Sequence, residues 1–404
     1  MEITDETIDL KEALEDPLLA TGQVTGIDFG VREEDEPDSE DVVLRVFVAD
    51  EQAVPEGVED AFAALGLPVV VIQRTFELAQ LPDTTMHRPM VGGVSVTPER
   101  FTRPGAQTAP TGTLGAIVRH TLTPSVLGLS NHHVLCVDLN RAQGQEVIQP
   151  EPTIIGRLPG DHLGTLEDWS FPEQVESGRI DAAICSIDVP ALTEVAELGP
   201  VVGSNVPFLG MPVRKRGRST GPTSGTIEGI GGSFPIDYPL LPPVGSPPSI
   251  VRVMKRQIHI RPAAGTTAFG TSGDSGSVVV DEGNRAVGLY FASTQATAGA
   301  PRFGLASPIQ FVEQALSISF EWPAPFVEEV PDQMFAFDTA TIRGSGFLLA
   351  SDVLFDDVPA ESFSVDGDDS ISVVPPDFPG DRGLVVTGPG GASDVVTVSL
   401  NSIG

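Results

Sequence analysis

Hydrophobic and polar positions follow different periods along the chain. Near the amino terminus Leu10, Ala13 and Leu14 recur at helical spacing within an acidic stretch, which predicts a short amphipathic helix over Glu2–Leu19. Val24–Val31 and Val42–Val48 are rich in β-formers and flank the acidic, turn-like run Glu33–Asp41. Gly57–Leu65 reads as helix, and Gly66 and Pro68 stop it before a strand at Val69–Ile72. After the leading helix the order is β-β-α-β, a small α/β unit assigned to residues 1–95.

From Val91 onward the pattern changes to short strands punctuated by glycine. Gly115–Val118, Ile180–Ile187, Gly225–Ile230, Val251–Ile260, Ser277–Val280 and Ala286–Phe291 are examples. About twelve such strands over some 200 residues predict a closed or double β-barrel across 96–320. One helix ends the region, with Ser307 as expected N-cap, Pro308 at the first helical position and Phe311, Ala315 and Leu316 on its apolar face. Gly231–Ser249 contains six prolines and reads as an irregular, partly stiff loop. Residues 325–404, after the stiff linker Trp322-Pro-Ala-Pro325, alternate over Thr339–Ile342, Ser351–Phe355, Ser362–Val365, Ser370–Val374, Gly383–Thr387 and Val395–Leu400. That pattern predicts a small β-sandwich. The fold class expected is therefore mainly β.

Composition narrows the function. The 404 residues are 40% hydrophobic and 20% charged, enough to bury real cores, and 43 glycines with 36 prolines fit turn-rich β structure. A formal net charge of −33 repels phosphate backbones and anionic lipid, so neither a nucleic-acid nor a membrane partner is expected. Lys11, Lys215 and Lys255 are the three lysines; the other basic residues are arginines. No signal peptide is visible at the start of the sequence, so a cytoplasmic location is the expectation and an extracellular one the alternative. Cys136 and Cys185 are the two cysteines, too few for a disulfide scaffold, and spacing does not say whether they pair.

Three segments carry candidate chemistry: Leu127-Gly-Leu-Ser-Asn-His-His-Val-Leu-Cys136, Gly178-Arg-Ile-Asp-Ala-Ala-Ile-Cys185 and Thr271-Ser-Gly-Asp-Ser-Gly-Ser-Val-Val-Val280. A serine between Gly273 and Gly276, on a tight turn entering a buried strand, presents its hydroxyl with room for a substrate backbone. Serine is a weak nucleophile, needing an adjacent base that a carboxylate orients. A histidine ending one apolar strand and an aspartate leading into another supply both. The N–H groups of Gly273 and Ser275 then face a developing oxyanion. His87, His120, His162 and His259 are scattered; no metal-ligand spacing appears and no cofactor is expected.

These motifs, in the order His, Asp, Ser, resemble those of trypsin/chymotrypsin-like serine peptidases, of the bacterial, disulfide-poor type in which Asn-His-Val replaces Ala-His-Cys. The resemblance spans roughly 91–320, with Arg216-Gly-Arg-Ser-Thr-Gly-Pro-Thr-Ser-Gly-Thr-Ile227 similar to the opening of the second barrel. It implies a double β-barrel, a polypeptide substrate, and serine endopeptidase activity through an acyl-enzyme. Residue by residue it implies Ser275 as nucleophile, His133 as general base and Asp181 as its orienting partner, with His132 facing away and Asp188 the rival carboxylate. Gly273 and Ser275 would form the oxyanion hole. Phe269 would floor the specificity pocket and Phe291, Ala292 and Ser293 line one wall, which favours a small or apolar side chain before the scissile bond. Phe291 replaces a serine that in many members bonds the triad aspartate. Asp274 stands where secreted members pair a new amino terminus; with some 90 residues ahead of the barrel, internal donors are expected instead.

The carboxy-terminal unit resembles the IPT/TIG Ig-like domain through Thr341-Ile-Arg-Gly-Ser-Gly-Phe347, Val353-Leu-Phe-Asp-Asp-Val-Pro-Ala360 and Pro389-Gly-Gly-Ala-Ser393. That implies a sandwich core of Phe347, Val353 and Phe355 and a protein partner bound through this unit. Asp366, Asp368 and Asp369 could bind calcium, although a solvated acidic loop fits better. The alternative function is a protease-fold scaffold with little turnover that recruits partners through its Ig-like unit. The amino-terminal unit, placed ahead of the barrel, would either shield the cleft or dock to stabilise it.

Overall fold

The computed structural model describes residues 3–402 apart from 33–40, 51–53, 56, 75, 78–82, 100–110, 138–140, 152–158, 174, 240–248 and 295–300, with backbone alone at 76–77. The chain is mainly β, built as several sheets. Helix α1 (Asp5–Leu19) begins after Thr4, whose extended backbone and side-chain oxygen, accepting from the Thr7 N–H at 3.3 Å, cap it. Strands β1 (Val24–Val31) and β2 (Val42–Val48) pair antiparallel. Most of the acidic run expected between them, 33–40, lies outside the described residues. The helix expected over Gly57–Leu65 is two short pieces, α2 (Val58–Ala61) and a 3-10 turn at Ala63–Leu65. They part at Phe62, whose φ of −108° leaves the helical region while its ring is fully buried. Strand β3 (Val69–Gln73) then runs parallel to β2, and the short β4 (Phe76–Glu77) follows.

The first half of the next region is a curved sheet. Its strands are β5 (Val94–Pro98), β6 (Gly112–Leu114), β7 (Ala116–His120), β8 (Val126–Ser130), β9 (Glu146–Ile148), β10 (His162–Ser170) and β11 (Ala182–Ser186). Their spatial order is β7-β8-β11-β10-β9-β5-β6. The second half comprises β12 (Pro212–Gly217), β13 (Gly221–Pro239), β14 (Ser249–Pro262), β15 (Val278–Val280), β16 (Ala286–Thr294) and β17 (Gly304–Pro308). They run β14-β17-β16-β15-β12-β13, and β13 also pairs with β14, so this sheet closes into a barrel. Both halves share one apolar seam: Val118, Leu127 and Leu129 meet Val278, Val280 and Leu289.

The helix after β17 covers that seam and corrects two expectations. It spans Ile309–Leu316, and Pro308 occupies the cap position without a side-chain bond; Ser307 lies within β17, its hydroxyl donating to Gln257 Oε1 at 2.9 Å. The buried face is Ile309, Val312 and Leu316, spaced i, i+3, i+7, whereas Phe311 is half-buried and Ala315 exposed. The proline-rich loop is a second correction. Gly231–Pro239 continues β13, paired with β14 from Pro239↔Ser249 inward, and 240–248 lies outside the described residues. Beyond Ser233 the other edge of β13 no longer pairs with β1, so Pro235 and Pro239 withhold no ladder bond on that side.

Two strand pairings join the amino-terminal unit to the barrel: β1 lies antiparallel on β13, Ile27 opposite Ser233 and Gly30 opposite Gly229, and β4 lies antiparallel on β16. The sheet therefore continues from the barrel through β13-β1-β2-β3. Charges lock this junction. Asp28, Arg45, Glu228 and His259 are fully buried together, with Arg45 bidentate on Asp28 at 2.7 Å for both bonds and 3.2 Å from Glu228. A second set of charges adds to it, Arg256 of β14 gathering Asp5, Asp9 and Glu12 of α1.

The carboxy-terminal unit packs two sheets face to face. One runs Phe326–Glu329, Ala340–Ser345, Ser370–Val374, Ser362–Gly367; the other runs Gln333–Phe335, Val396–Asn401, Gly380–Gly388, Asp352–Phe355, Val358–Pro359. Phe347, Val353 and Phe355 lie in the core between them. Trp322 and Leu349 pack on the first sheet's core, so the unit rests against it. Asp366 accepts from Ser364 and Ser372, and among the described residues no cluster of three or more His, Cys, Asp or Glu side chains is arranged to hold a metal ion. Among those residues no helix is long and apolar enough to cross a membrane.

Candidate active site

Strand register brings the first two candidate groups together. Strand β11 lies antiparallel on β8 with Ala183 opposite Ser130, which carries Asp181 beside the residues that follow Ser130. Asn131 follows β8 in an extended conformation and its side chain donates to the Asp181 carbonyl at 2.6 Å. A single helical turn, α3 (His132–Leu135), follows. His133 uses both Asp181 carboxylate oxygens, Nδ1 lying 2.5 Å from Oδ2 and the backbone N–H 3.1 Å from Oδ1. Burial raises the Asp181 pKa, but the adjacent His133 imidazole and its hydrogen bond outweigh that and hold it below the ordinary carboxylate range. Asp188, at the far end of β11, bonds His162 Nε2 at 2.9 Å instead.

His132 points elsewhere. Its ring stacks on Phe171 at 4.3 Å, both nitrogens lack hydrogen-bond partners, and burial pushes its pKa down to about 3. Phe171 in turn meets the Tyr238 ring edge-on at 4.9 Å, and Tyr238 lies 5.8 Å from the His133 ring. The Tyr238 hydroxyl is buried beside the Asp181 carboxylate, and burial together with that neighbour raises its pKa well above normal. Cys136 and Cys185 are buried and not joined in a disulfide, and burial pushes the Cys185 thiol up to about 12.

The serine sits on a turn that two glycines permit. Gly273 and Gly276 have φ of +88° and +95°. A Cβ on Gly276 would lie 2.1 Å from the Thr113 carbonyl. Asp274 between them is a buried anchor: Oδ2 accepts from Lys215 Nζ at 2.9 Å, Thr220 Oγ1 at 2.7 Å and Thr271 N–H at 3.0 Å, and Oδ1 from the N–H groups of Ser219 at 2.9 Å and Thr220 at 3.1 Å. Burial opposes the ionised form, yet Lys215 and the Thr271 N–H hold the Asp274 pKa below normal. Lys215 is the buried partner of Asp274 that reading the sequence did not single out; its signal was rarity, one of three lysines in the chain.

With the turn fixed, the N–H groups of Gly273 and Ser275 have no acceptor among the described residues, although Asp274, Gly276 and Ser277 N–H groups all do. The Ser275 hydroxyl donates to the Phe291 carbonyl at 3.2 Å, and among the described residues no hydrogen bond joins it to His133. The two walls nevertheless meet closely. The Val134 side chain and the Ser275 carbonyl lie 2.3 and 2.9 Å from the point a Gly112 Cβ would occupy. Of the expected pocket residues, Phe269 is fully buried in the second barrel's core beside Tyr290. The Phe291 ring and Ala292 pack with Phe47 and Phe234, and Ser293 is buried further along β16.

No protein-family model matches the chain, and neither does any curated protein. Solved structures do. A Cellulomonas bogoriensis chymotrypsin is 19% identical over 56% of this chain and 96% of its own, with a TM-score of 0.37. Thermobifida fusca protease A is 18% identical over 56% and 96%, at 0.38. A glutamic acid-specific serine protease is 17% identical over 57% and 99%, at 0.39.

Proposed function

We propose that the chain is a serine endopeptidase in which Ser275 is the nucleophile, His133 the general base and Asp181 its orienting carboxylate. One observation carries the reading: His133 is held at Nδ1 by a buried carboxylate, its neighbour Val134 and the Ser275 carbonyl both approach Gly112, and the serine turn has two backbone N–H groups with no acceptor among the described residues. With Nδ1–H directed at Asp181, Nε2 keeps its lone pair for a proton. As Ser275 Oγ bonds to a peptide carbonyl carbon, its proton passes to Nε2 and the carbonyl π-pair moves onto oxygen, towards the Gly273 and Ser275 N–H groups. Collapse of that adduct breaks the C–N bond, and the departing amine takes the proton from Nε2. Water then attacks the acyl-enzyme, giving one proton to Nε2, which returns it to Ser275. The substrate is an extended polypeptide with a small or apolar residue before the scissile bond, since Phe269, Phe291, Ala292 and Ser293 bring no charge to that side.

The Ser275 hydroxyl favours a second reading as it stands: turned to Phe291, it suits a scaffold with little turnover, recruiting partners through the carboxy-terminal sandwich. Catalytic hydrogen bonds commonly tighten only when substrate binds, so a Ser275 hydroxyl turned to Phe291 in the free chain is compatible with the peptidase reading as well. A small alkyl fluorophosphonate decides between them. Mass spectrometry of the full chain should find the adduct on Ser275, absent in Ser275→Ala, with peptide hydrolysis reduced by about 10⁴-fold or more in that variant. Folded wild-type protein that takes no label refutes the peptidase reading.

A further inference from the structure

We infer that the amino-terminal unit competes with substrate for the candidate site, because β4 occupies the stretch of the β16 edge along which the acyl side of an extended peptide would add. This rests on the reading of Ser275 as nucleophile. Strand β16 has two edges. One is paired with β17, from Gly288↔Pro308 to Ser293↔Gly304. Along the other, Ala286 to Leu289 pairs with β15, Tyr290 exchanges bonds with Gly276 and Ser277, and the Phe291 carbonyl accepts the Ser275 hydroxyl. Next on that edge come Ser293 and Thr294, and they pair antiparallel with Glu77 and Phe76 of β4.

A peptide presenting a carbonyl to Ser275 must satisfy the backbone groups of the residues preceding it, and strand addition to the neighbouring edge is the direct way to do so. That edge is Phe291–Thr294. Antiparallel polarity makes β4 approach from Thr294 towards Phe291 in its own amino-to-carboxyl direction, the polarity a substrate's acyl side would need. Both claim the same backbone groups.

The occupant is firmly tethered. Arg74, two residues before β4, lies with its guanidinium 3.5 Å over the Phe303 ring, and its Nη1 is 3.1 Å from Glu228 Oε1. Its carbonyl accepts from the Thr25 hydroxyl. Beyond the strand the chain is held again: the Asp83 N–H donates to the Arg218 carbonyl at 2.7 Å and its carboxylate pairs with Arg216 at 2.9 Å. Arg218 borders the serine turn, its Nη1 lying 2.8 Å from where a Gly273 Cβ would be. An intramolecular strand anchored at residues before and after it competes at an effective concentration that free peptide does not reach.

The test uses the full chain. The Thr294 N–H donates to Phe303 across the β17 edge, so by the alternation of an antiparallel ladder Ser293 and Glu77 form the hydrogen-bonded pair. Glu77→Pro removes the donor of that pair. It should raise kcat/KM by about tenfold or more for a substrate with four residues before the scissile bond. The rate of labelling by a small fluorophosphonate, which needs no strand edge, should stay within about twofold. Hydrogen exchange on the wild-type chain gives a measurement that does not depend on the variant folding. A Ser275 adduct with a tetrapeptidyl phosphonate should deprotect the Glu77 amide, and a small fluorophosphonate adduct should not. Equal cleavage of the long peptide by both proteins, or unchanged protection of the Glu77 amide in the peptidyl adduct, overturns the inference. A wild-type chain that takes no fluorophosphonate label overturns the nucleophile reading, and the inference falls with it.

Discussion

The buried pair Lys215–Asp274 sets the shape of the serine turn, and its two halves are not equivalent. Lys215→Met removes a fully buried ammonium but leaves the Asp274 carboxylate with the Thr220 hydroxyl and the N–H groups of Ser219, Thr220 and Thr271. Asp274→Asn leaves the ammonium with Thr220 Oγ1 at 3.0 Å and two aromatic faces, Tyr290 at 5.3 Å and Phe269 at 5.6 Å. Breaking a buried pair from one side costs about 3–5 kcal/mol because the remaining charge is stranded. The better-solvated survivor belongs at the lower end, so Lys215→Met should cost about 3 kcal/mol and Asp274→Asn about 4–5. For a unit of this size 3 kcal/mol lowers the melting temperature by roughly 6–12 °C. Thermal melting of both single variants and of the double variant, with fluorophosphonate labelling of Ser275 alongside, measures the cycle. The double variant should regain part of the loss, since neither charge is then stranded. A Lys215→Met protein within about 1 kcal/mol of wild type, or an Asp274→Asn protein more stable than Lys215→Met, would refute the reasoning.

Two further outcomes are expected. Burial holds His132 down to about 3 and His259 to about 4, so each is neutral in the fold and binds a proton on unfolding. A depressed histidine pKa makes stability complete above pH about 6.5 and lost as pH falls towards the folded values, by up to about 1.4 kcal/mol per pH unit for each ring. His132→Phe keeps the stack on Phe171 and removes two unpartnered nitrogens, so urea midpoints between pH 4 and 6.5 should fall with about one proton less; an unchanged slope counts against the assignment. Gly276→Ala places a methyl 2.1 Å from the Thr113 carbonyl and 2.3 Å from Ser130 Oγ at a φ of +95°, and should cost about 2–4 kcal/mol and abolish labelling of Ser275. Wild-type labelling kinetics in that variant would show that the turn tolerates a side chain.

What the sequence by itself determined is local. Glycine at 273 and 276 marks a turn needing positive φ, alternation marks the strands of the carboxy-terminal sandwich, and Val24–Val31 and Val42–Val48 are strands because their residue types leave little choice. Local signals also misled. Proline density made Gly231–Pro239 look like a loop, and Ser307 followed by proline looked like a helix cap, because proline's missing N–H and serine's hydroxyl mean different things beside different neighbours. Tertiary structure alone decided those neighbours. Asp181 reaches His133 because Ala183 registers with Ser130, Lys215 meets Asp274 because β12 runs beside the turn, and β4 lies on β16 because β1 extends the barrel through β13. Hydrogen-bonding capacity along a strand edge is the same for any residues but proline, so which chain claims an edge is settled by the packing of the whole molecule and leaves little mark in the residues themselves.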